Sequence, residues 1–290
     1  ARSRNDQSLT ALRLYYKDEF SNVVQKIESL RDVLITFIDN YGEIEFPGYT
    51  HTRKAMPTKI GVWAGAFSES MKDNIELINA QKGLFNRSPL GTGAGYGLPI
   101  EIDREFSAKE LNFERIQKNP IYVQNSRGKY EAQLLSILGT IMADLNRMAT
   151  DLILFSASEF NYFKLPTDFC TGSSIMPQKC NPDVLEIMRG NYHIIISHEF
   201  RVKSLISNLI MGYHRDLQLI KEPVFESFDI TIDSLEIATE IIKRLKVNPK
   251  VCEAALTEEV YATNEVYKLV EKGVAFREAY REIARKYRNS

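Results

Sequence analysis

The sequence has few cysteines and no excess of either charge. Its three cysteines, Cys170, Cys180 and Cys252, are odd in number and lack CxxC spacing. This argues against a zinc site or a disulfide framework and indicates a reducing compartment. Lysine and arginine number 37 against 38 aspartates and glutamates, so bulk charge predicts neither a nucleic-acid nor a membrane-surface partner. An anionic ligand must therefore be bound by local cations.

Long apolar runs are also missing. No run reaches the roughly 20 residues that a membrane-spanning helix needs, and from these residues we expect no signal peptide. From these absences we expect a cytoplasmic protein.

Glycine and proline are absent from Gln7 to Asp39, where apolar residues recur at helical spacing. The pattern predicts one helix about 50 Å long. It is followed by a loop from Tyr41 to Thr52. Four further long helices are predicted, with approximate bounds Pro57–Gln81, Tyr130–Phe160, Pro182–Met211 and Pro223–Leu245.

Alternation typical of strands is missing over any convincing length, so the predicted fold class is all-α, an up-and-down bundle of five long helices. We assign residues 1–248 to the bundle domain and residues 249–290 to the start of a smaller C-terminal helical domain. Trp63, on the apolar face of the second helix, is interpreted as a core residue. The five helices have more apolar surface than one bundle hides, which predicts burial against identical partners.

The run from Gly91 to Gly97 contains four glycines but fits neither GxGxxG nor GxxxxGK[ST]. No strand precedes it. We interpret it as a tight backbone turn where side chains would obstruct packing or a ligand.

Residues 171–182 read Thr-Gly-Ser-Ser-Ile-Met-Pro-Gln-Lys-Cys-Asn-Pro, which predicts a mobile polar loop with one cation. Asn181, Pro182 and Asp183 predict the start of the next helix, with Asn181 as its cap. Taken alone, the pattern is also typical of a capped surface loop.

This stretch resembles the signature loop of the fumarase/aspartase superfamily of lyases, through Gly172-Ser173-Ser174-x-Met176-Pro177-x-Lys179-x-Asn181-Pro182. Ser3-Arg4-Asn5-Asp6-Gln7 and Pro47-Gly48-Tyr49-Thr50-His51 resemble its argininosuccinate lyase branch. The resemblance covers essentially the whole chain. It implies the core of a longer enzyme, with an N-terminal domain before this core and more chain after it. It also implies a homotetramer whose sites are shared between subunits.

The activity implied by the resemblance is cleavage of argininosuccinate to arginine and fumarate, without a cofactor or a metal. A proton beside a carboxylate is removed and the adjacent C–N bond breaks, which requires a base, cations or amides facing the carboxylate, and a protonated leaving group. Adenylosuccinate lyase or another fumarate-releasing lyase is the alternative within the superfamily. A catalytically silent structural protein, like the eye-lens relatives, is the alternative from another class.

Four residues match the family's catalytic groups. Ser173 matches the general base and Lys179 the cation that supports it, although Lys179 is the alternative base. His51 is the candidate acid or proton relay at the leaving nitrogen, and Glu186 matches the carboxylate that orients it. Their joint presence argues against a silent relative.

Further positions match the family's substrate ligands. Thr50 matches a hydroxyl ligand for the succinyl carboxylate, Asn181 matches a substrate-carboxylate ligand, and Ser174 matches a backbone or hydroxyl donor beside Ser173. Those at the start of the chain are Ser3, Arg4 and Asn5, with Ser3 and Asp6 holding the turn there. Those of the arginine-end pocket are Tyr213, Gln218 and Lys221. The segment from Asn119 to Glu131 departs from the family pattern, since only Arg127 and one of Asn125 or Ser126 resemble it.

Overall fold

The computed structural model describes residues 4–288. Most of this part of the chain is helical, in agreement with the predicted all-α class. The helices are α1 (Arg4–Tyr41), α2 (Ile60–Phe85), α3 (Arg104–Glu110), α4 (Pro120–Asn125), α5 (Lys129–Ser156), α6 (Asp183–Leu205), α7 (Lys221–Arg244), α8 (Pro249–Ala254), α9 (Ala262–Glu271) and α10 (Phe276–Arg288).

The five predicted long helices are α1, α2, α5, α6 and α7. Helix α1 is continuous over 38 residues, which corresponds to about 57 Å at the rise per residue of an α-helix. Its apolar stripe lies in the core, and among its fully buried side chains are Phe20, Val23, Ile27, Leu30 and Leu34. The other four helices pack along α1 or against one another.

Short strands connect the helices. They are β1 (Glu45–Thr50), β2 (Arg53–Lys59), β3 (Arg87–Ser88), β4 (Arg115–Ile116), β5 (Phe163–Lys164), β6 (Thr171–Gly172), β7 (Cys180–Asn181) and β8 (Lys246–Val247). β1 pairs with β2, β5 with β8 and β6 with β7, all antiparallel, whereas β3 and β4 are parallel.

The predicted loop from Tyr41 to Thr52 is wrong, because a β-hairpin begins at Glu45 and continues to Lys59. Pro57 lies in β2 opposite Pro47, next to an irregularity in the strand register. Neither proline has a backbone N–H to donate to the hydrogen bonds between the strands. The two residues that lack this donor are therefore opposite each other in the hairpin. Helix α2 consequently starts at Ile60 rather than at Pro57.

Other helix bounds also differ from the predicted ones. Helix α5 ends at Ser156 and α6 at Leu205, several residues before the predicted Phe160 and Met211. Asn161 and Asn208 have φ angles of 50° and 63°, which interrupt the right-handed helical path. Helix α7 begins at Lys221, so that Pro223 falls in its first turn.

The interpretation of Trp63 as a packing residue agrees with its surroundings. The indole is half-buried and contacts the Phe163 ring in a tilted arrangement, with 4.9 Å between ring centroids. Its Nε1 donates to Asp151 Oδ2 at 3.0 Å. Burial raises the pKa of Asp151, and the hydrogen bond from Trp63 opposes that shift. The residue therefore ties α2 to α5.

The glycine run from Gly91 to Gly97 is the predicted tight turn, but the prediction that no strand precedes it is wrong, because β3 ends at Ser88. Gly91, Gly93, Gly95 and Gly97 all have positive φ angles, between 66° and 128°. A Cβ at Gly95 would lie 3.1 Å from the Gln124 side chain. The backbone conformation thus favours glycine at that position, and a Cβ would also crowd the Gln124 side chain.

The helices run alternately up and down, so each end of the bundle collects several helix termini and connecting loops. Gly128, just before α5, packs against Ile206, just after α6, so these helices are antiparallel. We call the end where α1 begins the start end. The opposite end, where the Tyr49 hydroxyl bonds the Tyr162 hydroxyl at 2.7 Å, is called the hairpin end.

Within residues 4–288 no helix is both long and apolar enough to cross a membrane. After residue 248 the helices become short, and α8 packs on β1 while Lys54 Nζ donates to the carbonyl of Ala255 at 2.8 Å. The division at residue 248 stays a prediction.

Candidate active site

The signature loop connects β6 to β7 at the hairpin end and is exposed over most of its length. Ser173 is half-buried, and its Oγ accepts hydrogen bonds from the backbone N–H groups of Ile175 and Met176 at 3.4 and 3.2 Å. N–H groups aimed at an oxygen stabilise negative charge on that oxygen. Sequence reasoning missed these two donors, although a serine that opens a turn is the pattern that creates them.

The remaining loop residues lie where a substrate can reach them. Ser174 and Lys179 are exposed, and the Lys179 ammonium has no ion pair in the described part of the chain. The predicted cap at Asn181 is wrong, because Asn181 pairs with Thr171 in the β6–β7 ladder and α6 starts only at Asp183, without a side-chain cap. The Asn181 side chain is thereby available for another partner.

His51 and Thr50 lie at the tip of the β1–β2 hairpin and are exposed. His51 and Thr52 form the two-residue turn with φ angles of 51° and 59°. Asparagine and glycine usually occupy such turns, so a histidine and a β-branched threonine there hold backbone strain. The strained turn directs His51 away from the core of its own chain.

Glu186 lies in the first turn of α6 and is exposed. No hydrogen bond or ion pair joins it to His51 within residues 4–288. Within the described part of one chain, Glu186 therefore does not form the contact with His51 that the prediction requires.

At the start end, Arg4 and Asn5 open α1, with Arg4 exposed and Asn5 half-buried. Ser3 lies outside the described residues. Asp6 is buried, and its Oδ2 accepts from the N–H groups of Gly91 and Gly93 at 2.9 and 3.0 Å. Asp6 therefore fastens the glycine turn to the first turn of α1.

The predicted arginine-end residues gather at the same end. Gln218 Nε2 donates to the Tyr213 hydroxyl at 2.8 Å, and Lys221 is the half-buried first residue of α7. The Arg127 guanidinium lies over the Tyr213 ring, 5.4 Å from its centroid. Asn125 Oδ1 accepts from the N–H of Gly212 at 3.1 Å.

The atypical segment from Asn119 to Glu131 therefore supports the loop that carries Tyr213. Asn119 caps α4 by accepting from the N–H of Tyr122 at 2.9 Å. The contact between Arg127 and Tyr213 was not predicted, because the two residues are far apart in sequence. The only signal was the partial resemblance around Arg127.

A buried charged network underlies this end. Glu131 is only 3% exposed and accepts from the Tyr16 hydroxyl at 3.2 Å and from the N–H of Gly128 at 2.6 Å. Burial lowers the pKa of Arg13 to about 10 and also lowers the pKa of Arg127, while the Glu131 charge opposes both shifts. The Glu131 carboxylate therefore favours the charged form of both buried guanidinium groups.

The candidate residues thus form two groups at opposite ends of the bundle. His51, Thr50, Glu186 and the signature loop lie at the hairpin end, whereas Arg4, Asn5, Tyr213, Gln218 and Lys221 lie at the start end. The length of α1 separates them by about 57 Å. No set of three or more metal-ligating side chains comes together within residues 4–288.

Comparisons with known proteins assign this chain to a family. Residues 1–196 match the family model described as lyase. An argininosuccinate lyase of Thermotoga neapolitana is 54% identical over 287 residues, which cover 99% of this chain and 72% of that protein. The chain belongs to the argininosuccinate lyase family. An argininosuccinate lyase of Sorangium cellulosum is 40% identical over 98% of this chain, which spans 66% of that relative.

Solved structures share the fold of this family member. An EDDS lyase in complex with formate has a TM-score of 0.90 at 23% identity, over 98% of this chain and 56% of that one. The class II fumarase of Schistosoma mansoni has a TM-score of 0.83 at 20% identity, over 98% of this chain and 67% of that one. The mostly helical architecture is therefore that of the fumarase-like lyases.

Proposed function

We propose that this chain carries the core of an argininosuccinate lyase, which cleaves argininosuccinate to arginine and fumarate without a cofactor. The observation that carries the proposal is 54% identity to an argininosuccinate lyase over 99% of the chain. The Ser-Arg-Asn-Asp-Gln, Pro-Gly-Tyr-Thr-His and signature-loop segments support it, because each retains the residue types that the chemistry needs.

In this proposal Ser173 removes the proton beside the carboxylate of the succinyl part. The N–H groups of Ile175 and Met176 hold its Oγ and stabilise an ionised form. Lys179, in the same loop, provides the positive charge that opposes the second negative charge on the intermediate's carboxylate. Ser174 and Asn181 bind that carboxylate.

His51 supplies the proton to the leaving nitrogen, and Glu186 orients it. The exposed hairpin tip is suited to this role because it can enter a site formed by a neighbouring subunit. Thr50 provides a hydroxyl ligand beside His51. The C–N bond then breaks, and its electron pair leaves with the protonated nitrogen while fumarate forms.

The start end binds the rest of the substrate. Ser3, Arg4 and Asn5 contact carboxylate and amide-like groups at the N-terminus of α1, where backbone N–H groups favour anions. Tyr213, Gln218 and Lys221 form the arginine-end pocket, with Lys221 pairing with the amino-acid carboxylate.

We infer that each site uses more than one subunit of a homotetramer. Two groups about 57 Å apart cannot contact one small substrate within a single chain. An antiparallel neighbour would bring its start end beside the hairpin end of the first chain. The exposed side chains of Ile187, Ile194 and Phe200 on α6, with 66%, 38% and 74% of their surface accessible, offer an apolar face for such packing. The number four comes from the family resemblance.

The same proposal places the enzyme in the cytoplasm, in arginine biosynthesis, and keeps residues 249–290 as the start of a separate helical domain. The three free cysteines fit a reducing compartment.

The experiment is an ultraviolet assay for fumarate with full-length protein and argininosuccinate. We expect fumarate and arginine in equal amounts. Fumarate from adenylosuccinate but not from argininosuccinate would assign the chain to the alternative lyase, and no turnover of either would indicate a silent relative.

A further inference from the structure

The base of the signature loop carries two cysteines on one face of the β6–β7 pair. We propose that Cys170 and Cys180 form a reversible disulfide that locks this loop and switches the enzyme off under oxidising conditions. The effect on activity rests on the proposed function, whereas formation of the bond does not.

The strand register places the two side chains on the same face. Gly172 is paired with Cys180, and Thr171 with Asn181. Side chains two residues apart on a strand point to the same side, so Cys170 shares the face of Gly172 and lies diagonally across from Cys180. Gly172 has no side chain between them. The two thiols also interact electrostatically, because Cys180 contributes to the raised pKa of Cys170.

The two thiols differ in accessibility, which gives them different roles. Both are free, Cys180 is exposed and Cys170 is half-buried. The Cys170 thiol donates to the carbonyl of Pro166 at 3.7 Å. Burial, followed by the hydrogen bond and charge of Cys180, raises the pKa of Cys170 to about 12. Cys180 therefore meets an oxidant first, and Cys170 reacts second.

The reaction needs a two-electron oxidant, and we assign that role to hydrogen peroxide. The Cys180 thiol loses its proton, and the thiolate attacks one peroxide oxygen, so that an S–O bond forms and the O–O bond breaks, giving a sulfenic acid. The departing hydroxide takes up the proton that the thiol lost and leaves as water. The Cys170 sulfur then attacks the Cys180 sulfur, forming the S–S bond and breaking S–O. The departing hydroxide takes the Cys170 proton and leaves as a second water. Added thiols reverse the bond by exchange.

The bond would change the geometry of the loop as well as tether it. Diagonal neighbours in an antiparallel pair lie about 7–8 Å apart between Cα atoms, and most disulfides need about 4.4–6.8 Å. The two short strands must therefore shift toward each other. All residues from Thr171 to Lys179, including Ser173, lie inside the closed ring, so the base and its cation move with the strands.

The bond is tested first by mass, with full-length protein treated with hydrogen peroxide and then with a thiol-alkylating reagent. We expect loss of two hydrogens and one cross-linked peptide that joins Cys170 to Cys180 and disappears after reduction. The Cys252→Ser variant, which removes the buried third thiol, is the matched control and should form the same link. A link through Cys252, or oxidation of Cys180 without any link, would overturn the proposal.

The switch is tested by fumarate release from argininosuccinate before oxidation, after oxidation and after reduction. Wild-type activity should fall by about tenfold to 100-fold, the range that a misplacement of about 1 Å can cause, and return with a thiol reductant. Cys170→Ser should keep its activity through the same cycle. Equal losses in both proteins, or an unchanged rate in cross-linked enzyme, would refute the switch. If the reduced wild-type protein releases no fumarate, the proposed function fails while the mass result still decides the bond.

Discussion

Replacing Glu131 by alanine should destabilise the protein more than most single substitutions do. The carboxylate is 3% exposed and accepts two hydrogen bonds, and its charge opposes the lowering of the pKa of Arg13 and Arg127 by burial. Its removal leaves the buried Tyr16 hydroxyl and the buried Gly128 N–H without an acceptor, and each buried group left unsatisfied costs about 1–3 kcal/mol. Glu131→Gln should cost less, because an amide oxygen can still accept from Gly128 or Tyr16.

The assay is the free energy of unfolding from urea denaturation at fixed protein concentration, because an oligomer's apparent stability depends on that concentration. The matched control is Gln133→Ala, an exposed position in the same first turns of α5, which should stay within about 0.5 kcal/mol of wild type. A loss below about 1 kcal/mol for Glu131→Ala would refute the reasoning, because two buried donors left without an acceptor should cost more than that.

Three further substitutions follow from local geometry. His198 is 8% exposed between Ser227 Oγ at 3.0 Å and Glu226 Oε2 at 3.5 Å, and burial lowers its pKa from 6.5. The contribution of neutral His198 to stability is fully present above pH 6.5 and is lost as the pH falls through the lowered pKa. His198→Gln should therefore flatten the decline in the free energy of unfolding below pH 6.5. The control variant His193→Gln, at an exposed position, should not flatten it. Gly128 has φ of 76°, and an added Cβ would lie 2.0 Å from Ile206 Cγ2. Gly128→Ala should therefore lower the thermal midpoint of unfolding. Gly65→Ala, where an added Cβ meets open space within α2, should raise the free energy of unfolding by about 0.5–1 kcal/mol. Equal shifts of the thermal midpoint in the two variants would contradict this reasoning. Ser173→Ala should abolish turnover while substrate binding, measured by calorimetry, stays largely intact, and turnover near the wild-type rate would make Lys179 the leading candidate base.

The long helices could be predicted because their patterns are local. The segment from Gln7 to Asp39 contains no helix breaker and repeats its apolar residues at helical spacing, so α1 follows from adjacent residues alone. The hairpin could not be predicted, because Pro47, Gly48 and Pro57 are individually typical of loops or helix starts. Only the pairing of Pro47 with Pro57 reconciles them with a ladder.

The candidate site was predicted by motif rather than by physics. The resemblance identifies the candidate catalytic residues, which are His51, Ser173, Lys179 and Glu186. Their positions relative to one another depend on which end of the bundle each loop reaches. The contact of Arg127 with Tyr213 is long-range, and no local pattern encodes it. The two amides that hold Ser173 Oγ belong to Ile175 and Met176, whose side chains carry no signal for that role.

The central claim is that each site combines the start end of one subunit with the hairpin end of another. The direct test is to refold inactive Arg4→Ala and inactive His51→Asn full-length variants together, and to measure fumarate release from argininosuccinate. Hybrid oligomers would contain some sites with neither substitution, so activity should reappear, while each variant refolded alone stays inactive. No recovery, with hybrid assembly confirmed by mass, would mean that each site is drawn from one chain, and this would contradict the claim.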